Sequence, residues 1–173
     1  MRITIHQPEH LPYMGFFQKA NAADLLVILD NVKFRKNYFQ NRNKIKNLNG
    51  DDEWITVEKK ATSKKIKDVK VSEDPNWRAK LQRKIAENFK FDASSFYDSD
   101  RLLSINMRGI IWAMGELNIR TPIIHASEVD CDGNKSELLA GIVKELGGTS
   151  YISGPSGKDY LDMSFFDGID VTF

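Results

Sequence analysis

Near the start of the chain, a short apolar run leads directly into side chains that can exchange protons. In HQPEHLP, His6, Gln7 and His10 stand among two prolines, and the apolar run ITI precedes them. Proline disfavours helical geometry for the residue before it, so we predict a stiff arch that holds these side chains in place. An imidazole can accept or donate a proton, and an amide can orient a hydroxyl. We therefore predict Gln7 and His10 as catalytic residues and His6 as a ligand contact, although His6 also suits a hydrogen-bonded core position.

A second stretch of this kind lies near the other end of the chain, in TSYISGPSGKDYL. Small and polar residues follow an apolar run there and lead into a short predicted helix. Such a turn can present N–H groups, hydroxyls and an ammonium group to an anion. It lacks the GxxxxGK[ST] pattern of a phosphate-binding loop, and similar turns are common without a ligand. The predicted ligand-binding residues are Ser153, Gly154, Ser156, Gly157 and Lys158.

The segment KNYFQNRN gathers amide side chains around one guanidinium group. Amides form hydrogen bonds with hydroxyls and carbonyls, and arginine can grip phosphate or carboxylate through two parallel hydrogen bonds. The segment therefore suits a sugar or a nucleotide, although asparagine-rich loops also arise because asparagine tolerates turn conformations. The predicted ligand-binding residues are Lys36, Asn37, Gln40, Asn41 and Arg42.

Asp30 is the third catalytic candidate, because it ends the apolar run LLVILD, where a carboxylate could act as a base or bind a cation. No metal centre is predicted, since the three histidines at positions 6, 10 and 125 match no ligand motif. No serine lies in a GxSxG pattern, so a Ser-His-Asp triad is not predicted either. These residues do not indicate a particular cofactor.

The charge of the chain is balanced overall but unevenly distributed. The formal net charge is +1, whereas residues 33–70 carry twelve Lys and Arg against five Asp and Glu. Such a local excess favours an anion-attracting surface over general affinity for nucleic acid, although a solvated charged loop would look the same. We therefore expect an anionic small-molecule ligand, such as a nucleotide sugar or an activated acyl donor, and no nucleic acid.

Apolar runs and helical periodicities alternate along the chain. Strands are predicted at 3–6, 25–30, 53–60, 66–73, 121–127, 149–153 and 169–173, and helices at 14–24, 77–89, 100–117 and 134–148. Residues 31–49 read as a long polar loop, and the helix at 100–117 is apolar nearly all round and is therefore expected to be buried. Strands that alternate with helices predict an α/β three-layer sandwich with a mostly parallel, Rossmann-like sheet and a small antiparallel extension around 53–72.

The predicted sheet positions the chemically interesting residues. The segments 6–10, 30–31, 125–128 and 153–158 each follow a predicted strand. Parallel sheets bind ligands at the carboxyl ends of their strands, so all four segments should face one edge. We accordingly predict that the HQPEHLP arch, the asparagine-arginine segment and the Ser-Gly turn converge on one cavity.

Length and composition suit one folded domain over residues 1–173, with 41% hydrophobic and 28% charged residues. No apolar stretch approaches the roughly 20 residues that span a bilayer, and no secretory signal is evident, so a cytoplasmic location is expected. The single cysteine, Cys131, fits a reducing compartment. Oligomeric state is left open.

Taken together, the motifs resemble one known family. The patterns QPxxLPxxGFF, ADxxVxLDxVxFxKNxxQNRNxI and YxSGPxGxxYL, spread over residues 2–162, are similar to those of the WbqC-like family of bacterial proteins. His10 stands where that family usually has an aromatic residue, and family members usually continue beyond the last predicted strand, so the chain is expected to be a short member or a truncated one.

The resemblance implies a transferase role in the biosynthesis of O-antigen or other surface lipopolysaccharide, with transfer of glycine or another amino acid to a sugar. The layout is also similar, more distantly, to nucleotidylyltransferases with an HxGH motif, with His10 at the first histidine and Tyr13 in place of the second. Two alternatives therefore stand beside the leading one: a nucleotidylyltransferase-like enzyme that makes a nucleotide sugar, and a non-catalytic ligand-binding subunit of such a pathway.

Overall fold

The computed structural model describes residues 1–60 and 64–173. The chain folds into two compact units: unit 1 comprises Met1–Gln7, Tyr13–Asp30 and Met114–Phe173, and unit 2 comprises Pro8–Pro12 and Asn31–Ala113. The expectation of one domain over residues 1–173 stays a prediction. In chain order the strands and α-helices are β1 (Arg2–His6), α1 (Met14–Ala22), β2 (Leu25–Ile28), β3 (Arg42–Lys46), β4 (Asp52–Thr56), α2 (Asn76–Phe89), α3 (Leu102–Glu116), β5 (Ile123–His125), α4 (Lys135–Glu145), β6 (Ser150–Ile152), α5 (Gly157–Tyr160) and β7 (Asp170–Thr172).

Unit 1 contains a five-stranded sheet in the order β5-β2-β1-β6-β7, and every pairing in it is parallel. Its two central strands are short and almost entirely apolar, because a parallel sheet is covered on both faces. Ile3 and Ile5 of β1 and Leu26, Val27 and Ile28 of β2 are all buried. The runs ITIH and LLVILD therefore become strands for the reason that predicted them.

The register of this sheet aligns the ends of three strands. His6 of β1 pairs with Ile28 of β2, and Ile28 pairs with His125 of β5. Two imidazoles thus lie in one row, on either side of an isoleucine, at the carboxyl ends of their strands. This arrangement confirms that residues after β1, β2, β5 and β6 leave the sheet at the same edge.

Helices cover both faces of the sheet in unit 1. From β1 the chain crosses to β2 in one direction, and from β5 it crosses to β6 in the other. Since such crossovers are right-handed, α1 and α4 lie on opposite faces. Apolar side chains turn inward on each helix, namely Phe16, Phe17 and Ala20 of α1 and Leu138, Leu139, Ile142 and Val143 of α4. The predicted α/β sandwich with a mostly parallel sheet is confirmed.

Unit 2 contains the small antiparallel sheet, in which β3 pairs with β4 from Arg42↔Thr56 to Lys46↔Asp52. The turn between them is held by the Asn47 side chain, whose Oδ1 accepts from the N–H groups of Asn49 and Asp51, while Gly50 has φ +85°. The interpretation of 31–49 as one long loop was therefore wrong for β3. An Asn-Gly pair between two runs is a hairpin signal, and the polar side chains of β3 concealed it.

The rest of unit 2 is built on α2 and α3. Asp74 Oδ1 accepts from the N–H of Asn76, the first residue of α2, at 2.9 Å. The predicted strand at 66–73 is instead a 3-10 turn at Ile66–Asp68 with isolated bridges, and residues 61–63 of the predicted extension lie outside the described part of the chain. The expectation that α3 is buried all round was also wrong, because Ile111 and Trp112 are 57% and 41% exposed.

Among residues 1–60 and 64–173, no helix combines the length and the apolar character that a membrane crossing requires.

Candidate functional site

The strand order of unit 1 marks one place where a ligand is expected. The direction of strand addition reverses between β1 and β6, and open parallel sheets bind ligands at such a reversal, beyond the carboxyl ends of the strands. The chain continues from β1 into Gln7 and from β6 into Ser153. Helix α1 begins at the same edge, and no side chain caps its first turn. Its N-terminal N–H groups therefore add partial positive charge to this edge.

His6 ends β1, and its partly exposed side chain packs against α1. Its Nδ1 donates to the carbonyl of Gln7 at 2.9 Å, and its ring packs edge-on against Phe16 at 4.9 Å. Burial, and then the charge of Lys19, lower the pKa of His6 to about 4, although the hydrogen bond to Gln7 opposes this shift. His6 is therefore neutral at physiological pH, and its ring fixes the backbone where β1 ends.

Asp30 lies after β2 and organises the segment that follows β5. Its two carboxylate oxygens accept from the backbone N–H of Ser127 at 2.9 Å and from the Ser127 hydroxyl at 2.8 Å. The Nδ1 atom of His125 lies 3.3 Å from Asp30 Oδ2. Only 2% of the Asp30 side chain is exposed. This enclosure favours a role for Asp30 in orienting its neighbours, and direct catalysis by Asp30 stays a prediction.

The Ser-Gly turn after β6 uses part of its hydrogen-bonding capacity internally. The N–H groups of Gly157, Lys158 and Asp159 each donate to the carbonyl three residues earlier, within the turn and α5. The expectation that the turn offers its N–H groups to an anion is thus not supported at these three positions. Ser153 is 2% exposed, and Ser156 and Lys158 are exposed. Lys158 remains the cation of this segment, with Nζ 5.6 Å from the centre of the Phe173 ring.

Gly157 has a packing role that a substitution can test. A Cβ at this position would collide with the Ser153 hydroxyl and would lie 3.1 Å from Ser153 Cβ and from the Phe173 ring. We expect Gly157→Ala to displace Ser153 and to lower the free energy of unfolding by about 1–3 kcal/mol, as overpacking usually does. Gly154→Ala is the matched control, because a Cβ there meets nothing within 4 Å. Urea unfolding of both variants measures this, and equal midpoints would contradict the packing argument.

In unit 2, the arch and the asparagine-arginine segment are held together by hydrogen bonds to the backbone. The N–H of His10 donates to the carbonyl of Phe39 at 2.8 Å, and Asn43 Nδ2 donates to the carbonyl of Leu11 at 2.7 Å. Asn106 of α3 donates to the carbonyls of both Pro8 and Gln40, at 3.0 and 2.7 Å. These two of the three segments that were expected to converge therefore do meet. The third, Ser153–Lys158, belongs to unit 1, and its convergence with them stays a prediction.

His10 is buried in the core of unit 2. It is 1% exposed, its Nε2 lies 3.5 Å from the Tyr97 hydroxyl, and burial lowers its pKa to about 4. A neutral imidazole at physiological pH is a weak proton donor. The prediction that His10 protonates an acceptor is therefore not supported by its surroundings, whereas they suit a residue that packs the arch against α3.

The amides of KNYFQNRN divide into buried and exposed members. Gln40 and Asn41 are buried: Gln40 Oε1 accepts from the Arg35 N–H at 2.7 Å, and Asn41 Nδ2 donates to the Val57 carbonyl at 3.0 Å. Both amides thus bond to the backbone of unit 2. Lys36 and Asn37 are exposed, and Asn37 has φ +59°, which is the turn conformation that asparagine tolerates.

Cations in unit 2 lie on exposed aromatic rings. The Arg42 guanidinium stacks 4.3 Å from the centre of the Trp54 ring and donates to the Asn37 carbonyl at 2.7 Å. Arg35 lies 4.6 Å from the centre of the Tyr38 ring. Trp54 and Tyr38 are 41% and 37% exposed. We call Arg35, Tyr38, Arg42 and Trp54 the stacked surface. It can offer aromatic faces and positive charge to a saccharide or an anion.

Two clefts of unit 2 lie away from the predicted residues. One of about 480 Å³ is lined by polar residues, namely Arg78, Gln82, Ser94, Tyr97, Asp98, Ser99 and Asp100. A smaller one of about 130 Å³ lies between β4 and α2, beside Trp54 and Trp77. Arg78 already donates to the carbonyls of Tyr97 and Ser99 in the first cleft. Arg78 therefore has a structural role in the first cleft, and we propose no ligand there.

Within residues 1–60 and 64–173, no three His, Cys, Asp or Glu side chains gather into a group that could hold a metal ion. Cys131 is a free, half-buried thiol whose pKa is raised, mainly by burial and then by Glu145 and three further carboxylates. A raised pKa keeps this thiol protonated and poorly nucleophilic.

Sequence reasoning left out several residues that the structure brings forward. His125 and Ser127 were placed at the correct edge as part of 125–128 but were not named as site residues. Asn106 and Trp54 gave no local signal, since each matters through partners that are distant in sequence. The signal that could have found His125 is the parallel sheet itself, which brings the end of β5 beside Asp30.

Comparisons with known proteins agree with the motifs. The chain is 26% identical over 185 aligned positions to the uncharacterized protein Rv1507c of Mycobacterium tuberculosis (strain ATCC 25618 / H37Rv). The alignment covers 98% of this chain and 79% of that protein. No solved structure matches the chain significantly. The model of the WbqC-like protein family matches residues 7–173, which include the arch, the stacked surface and the Ser-Gly turn. The chain belongs to the WbqC-like protein family.

Proposed function

We propose that the protein is a group-transfer enzyme that binds an anionic, activated donor at the carboxyl edge of the five-stranded sheet, between β1 and β6. The observation that carries this proposal is the strand order, which reverses at β1 in the way that creates ligand crevices in open parallel sheets. The donor is a nucleotide sugar or an activated acyl compound, and both classes carry phosphate or carboxylate groups.

Three features of unit 1 support an anion at this edge. The first turn of α1 has no side-chain cap and no acidic residue, so its partial positive charge is available to a ligand. Lys158 follows β6 and supplies a full positive charge. Gln7 follows β1, where its amide would orient the acceptor. In this proposal binding and orientation supply most of the rate enhancement.

We infer the reaction class from family membership. The activity that the WbqC-like resemblance implies is the transfer of glycine, or of another amino-acyl or acyl group, to a sugar of bacterial surface polysaccharide such as O-antigen. Taken by itself, the stacked surface of unit 2, with Lys36 and Asn37, is a second, separate surface suited to a saccharide, because sugar rings pack on exposed aromatic faces and their hydroxyls bond to amides.

Nucleotidyl transfer is the second candidate, and the Rossmann-like strand order favours it because the same order serves nucleotide binding in many enzymes. Tyr13 in place of a second histidine, and the buried, neutral His10, weigh against it. Release of pyrophosphate from a nucleoside triphosphate and a sugar phosphate would select this candidate over acyl transfer.

A thermal-shift screen with nucleotides, nucleotide sugars and amino acids tests the proposal. A ligand at a hundred times its dissociation constant adds about 2.7 kcal/mol to stability and should raise the melting temperature by several degrees. Lys158→Ala should weaken binding of the best ligand by about tenfold, since a charged hydrogen bond contributes roughly 1.5 kcal/mol or more. Arg120→Ala is the matched control, because it removes an exposed cation of unit 1 that precedes β5, at the other end of the strands. No shift with any anionic ligand would contradict the proposal.

A further inference from the structure

We propose that His125 is the general base of the sheet-edge site and that Asp30 is the residue that positions it. The inference rests on the proposed transfer reaction, in which the donor would extend along the sheet edge from the reversal between β1 and β6, past β2, to the end of β5. It adds a group that accepts the proton. Its starting point is a cluster in unit 1 of which only Asp30 belongs to the sequence motifs: Asp30, His125 and Ser127, all at the carboxyl ends of β2 and β5.

His125 differs from the other two histidines in what its ring can reach. His10 is 1% exposed, and His6 uses Nδ1 to bond the Gln7 carbonyl. The His125 side chain is 28% exposed, whereas its Nδ1 is buried and makes no hydrogen bond within the described part of the chain. The exposed part of the ring is therefore the part away from Nδ1, where Nε2 can meet a ligand.

Asp30 supplies the orientation that a general base needs. Its Oδ2 lies 3.3 Å from His125 Nδ1 and also accepts from the Ser127 hydroxyl, and its Oδ1 accepts from the Ser127 N–H. Ser127 thus fixes the carboxylate, and the carboxylate faces the imidazole. A proton on Nδ1 leaves the lone pair on Nε2, which is the form that can accept a proton from a substrate.

A second partner competes for the same nitrogen. Residues 125–128 form a capping box, in which the His125 ring faces the backbone N–H of Glu128 while the Glu128 carboxylate accepts from the His125 N–H at 3.3 Å. If Nδ1 accepted from Glu128, its proton would move to Nε2 and the ring would be a helix cap. We favour the positioning by Asp30, because a lone pair on Nδ1 would face a buried carboxylate at 3.3 Å, and that contact is repulsive.

The hydrogen-bond pattern of Asp30, His125 and Ser127 differs from that of a Ser-His-Asp triad. The Ser127 hydroxyl donates to Asp30 and not to His125, so nothing prepares Ser127 to become a nucleophile. The structure therefore favours direct transfer, in which a hydroxyl or amine of the acceptor attacks the acyl carbon of the donor. The new C–O or C–N bond forms as the proton passes to Nε2 of His125. The bond to the donor's leaving group breaks, the leaving group takes the electron pair, and His125 returns the proton to it.

The tautomer of His125 tests the arrangement without a substrate. Ring ¹⁵N shifts, measured above the pH range in which imidazole usually protonates, should show the proton on Nδ1 in the wild type and a shift toward Nε2 in Asp30→Asn. Ser127→Ala is the matched control and should keep the proton on Nδ1, since it leaves the carboxylate in place. His125→Gln identifies the signal. A wild-type His125 with its proton on Nε2 would overturn the proposal in favour of the cap.

Chemical reactivity tests whether Nε2 is available. Diethyl pyrocarbonate acylates unprotonated imidazole nitrogens, and peptide mass spectrometry separates the three sites. His125 should react at least about tenfold faster than His10, since that buried ring needs local opening to react, and Asp30→Asn should slow it. Equal or faster reaction of His10 would overturn the proposal. Failure of the thermal-shift screen would instead remove the proposed function while leaving a reactive His125, so the two failures are distinguishable.

Discussion

Acidification from about pH 7 to pH 4 is expected to remove several kcal/mol of stability, because two histidines are folded in their neutral form. His10 is 1% exposed in unit 2, and His6 lies between the end of β1 and the Phe16 ring in unit 1. Burial is the largest cause of the shift in both cases, and it lowers each pKa from 6.5 to about 4.

The direction of the effect follows from which state binds the protons. Between pH 6.5 and 4, the unfolded chain protonates both histidines while the folded protein leaves them neutral, so unfolding takes up protons. The contribution of the two neutral histidines to the free energy of unfolding is therefore fully present above pH 6.5. It is lost as the pH falls toward 4. At 1.36 kcal/mol per pKa unit, the loss is at most about 3 kcal/mol for each histidine.

Urea unfolding at a series of pH values measures this loss directly. The slope of stability against pH should correspond to an uptake of up to about two protons near pH 5. His10→Phe should reduce that uptake by about one proton, and the aromatic ring keeps most of the packing volume. Exposed carboxylates whose pKa is lowered by a partner, such as Asp24 beside Arg2, lose their contribution only at lower pH. A His6 or His10 ring that titrates near pH 6.5 in the folded protein, followed by NMR, would contradict the prediction.

Replacing Asn106 should destabilise unit 2 by about 3 kcal/mol, because one amide satisfies two buried carbonyls. Its Nδ2 lies 3.0 Å from the Pro8 oxygen and 2.7 Å from the Gln40 oxygen, and the residue is 1% exposed. Asn106→Ala leaves both carbonyls without this donor. Asn106→Asp keeps the shape but places an acceptor against two acceptors, so its cost should be at least as large.

Asn88→Ala is the matched control for this prediction, since Asn88 is a partly buried helical asparagine of the same unit that donates only to Lys84 within α2. It should change stability by less than about 0.5 kcal/mol. Hydrogen exchange supplies a local readout: the His10 N–H, which donates to Phe39, should lose protection in the Asn106 variants. A stability of Asn106→Ala within about 0.5 kcal/mol of wild type would contradict the bridging role.

The sequence predicted those parts of the fold in which the residue types of a segment reflect the burial of that same segment. ITIH and LLVILD are largely apolar runs because both faces of their strands are covered. Strand β3 shows the opposite case. Its residues RNKIK are mostly polar because the hairpin is largely exposed. The segment therefore shows no apolar alternation that would predict a strand.

The candidate site was predictable in its place but only partly in its chemistry. The rule for parallel sheets put His6, Asp30 and 125–128 at one edge, which the register confirms. Residue type could not tell a ligand contact from a partner of the backbone. Gln40 and Asn41 look like amides for a sugar, yet they are buried and bond to this chain's own N–H and C=O groups. The pairing of Asp30 with His125 joins residues far apart in sequence, and only the sheet brings them together.

The most direct test of the sheet-edge site is a map of amide chemical shifts as a ¹⁵N-labelled sample is titrated with the anionic ligand that gives the largest thermal shift. The proposed site predicts the largest changes at Gln7, in the first turn of α1, at His125 and over Ser153–Lys158. Changes concentrated instead around Arg78 and Ser94–Asp100, in the larger cleft of unit 2, would contradict it.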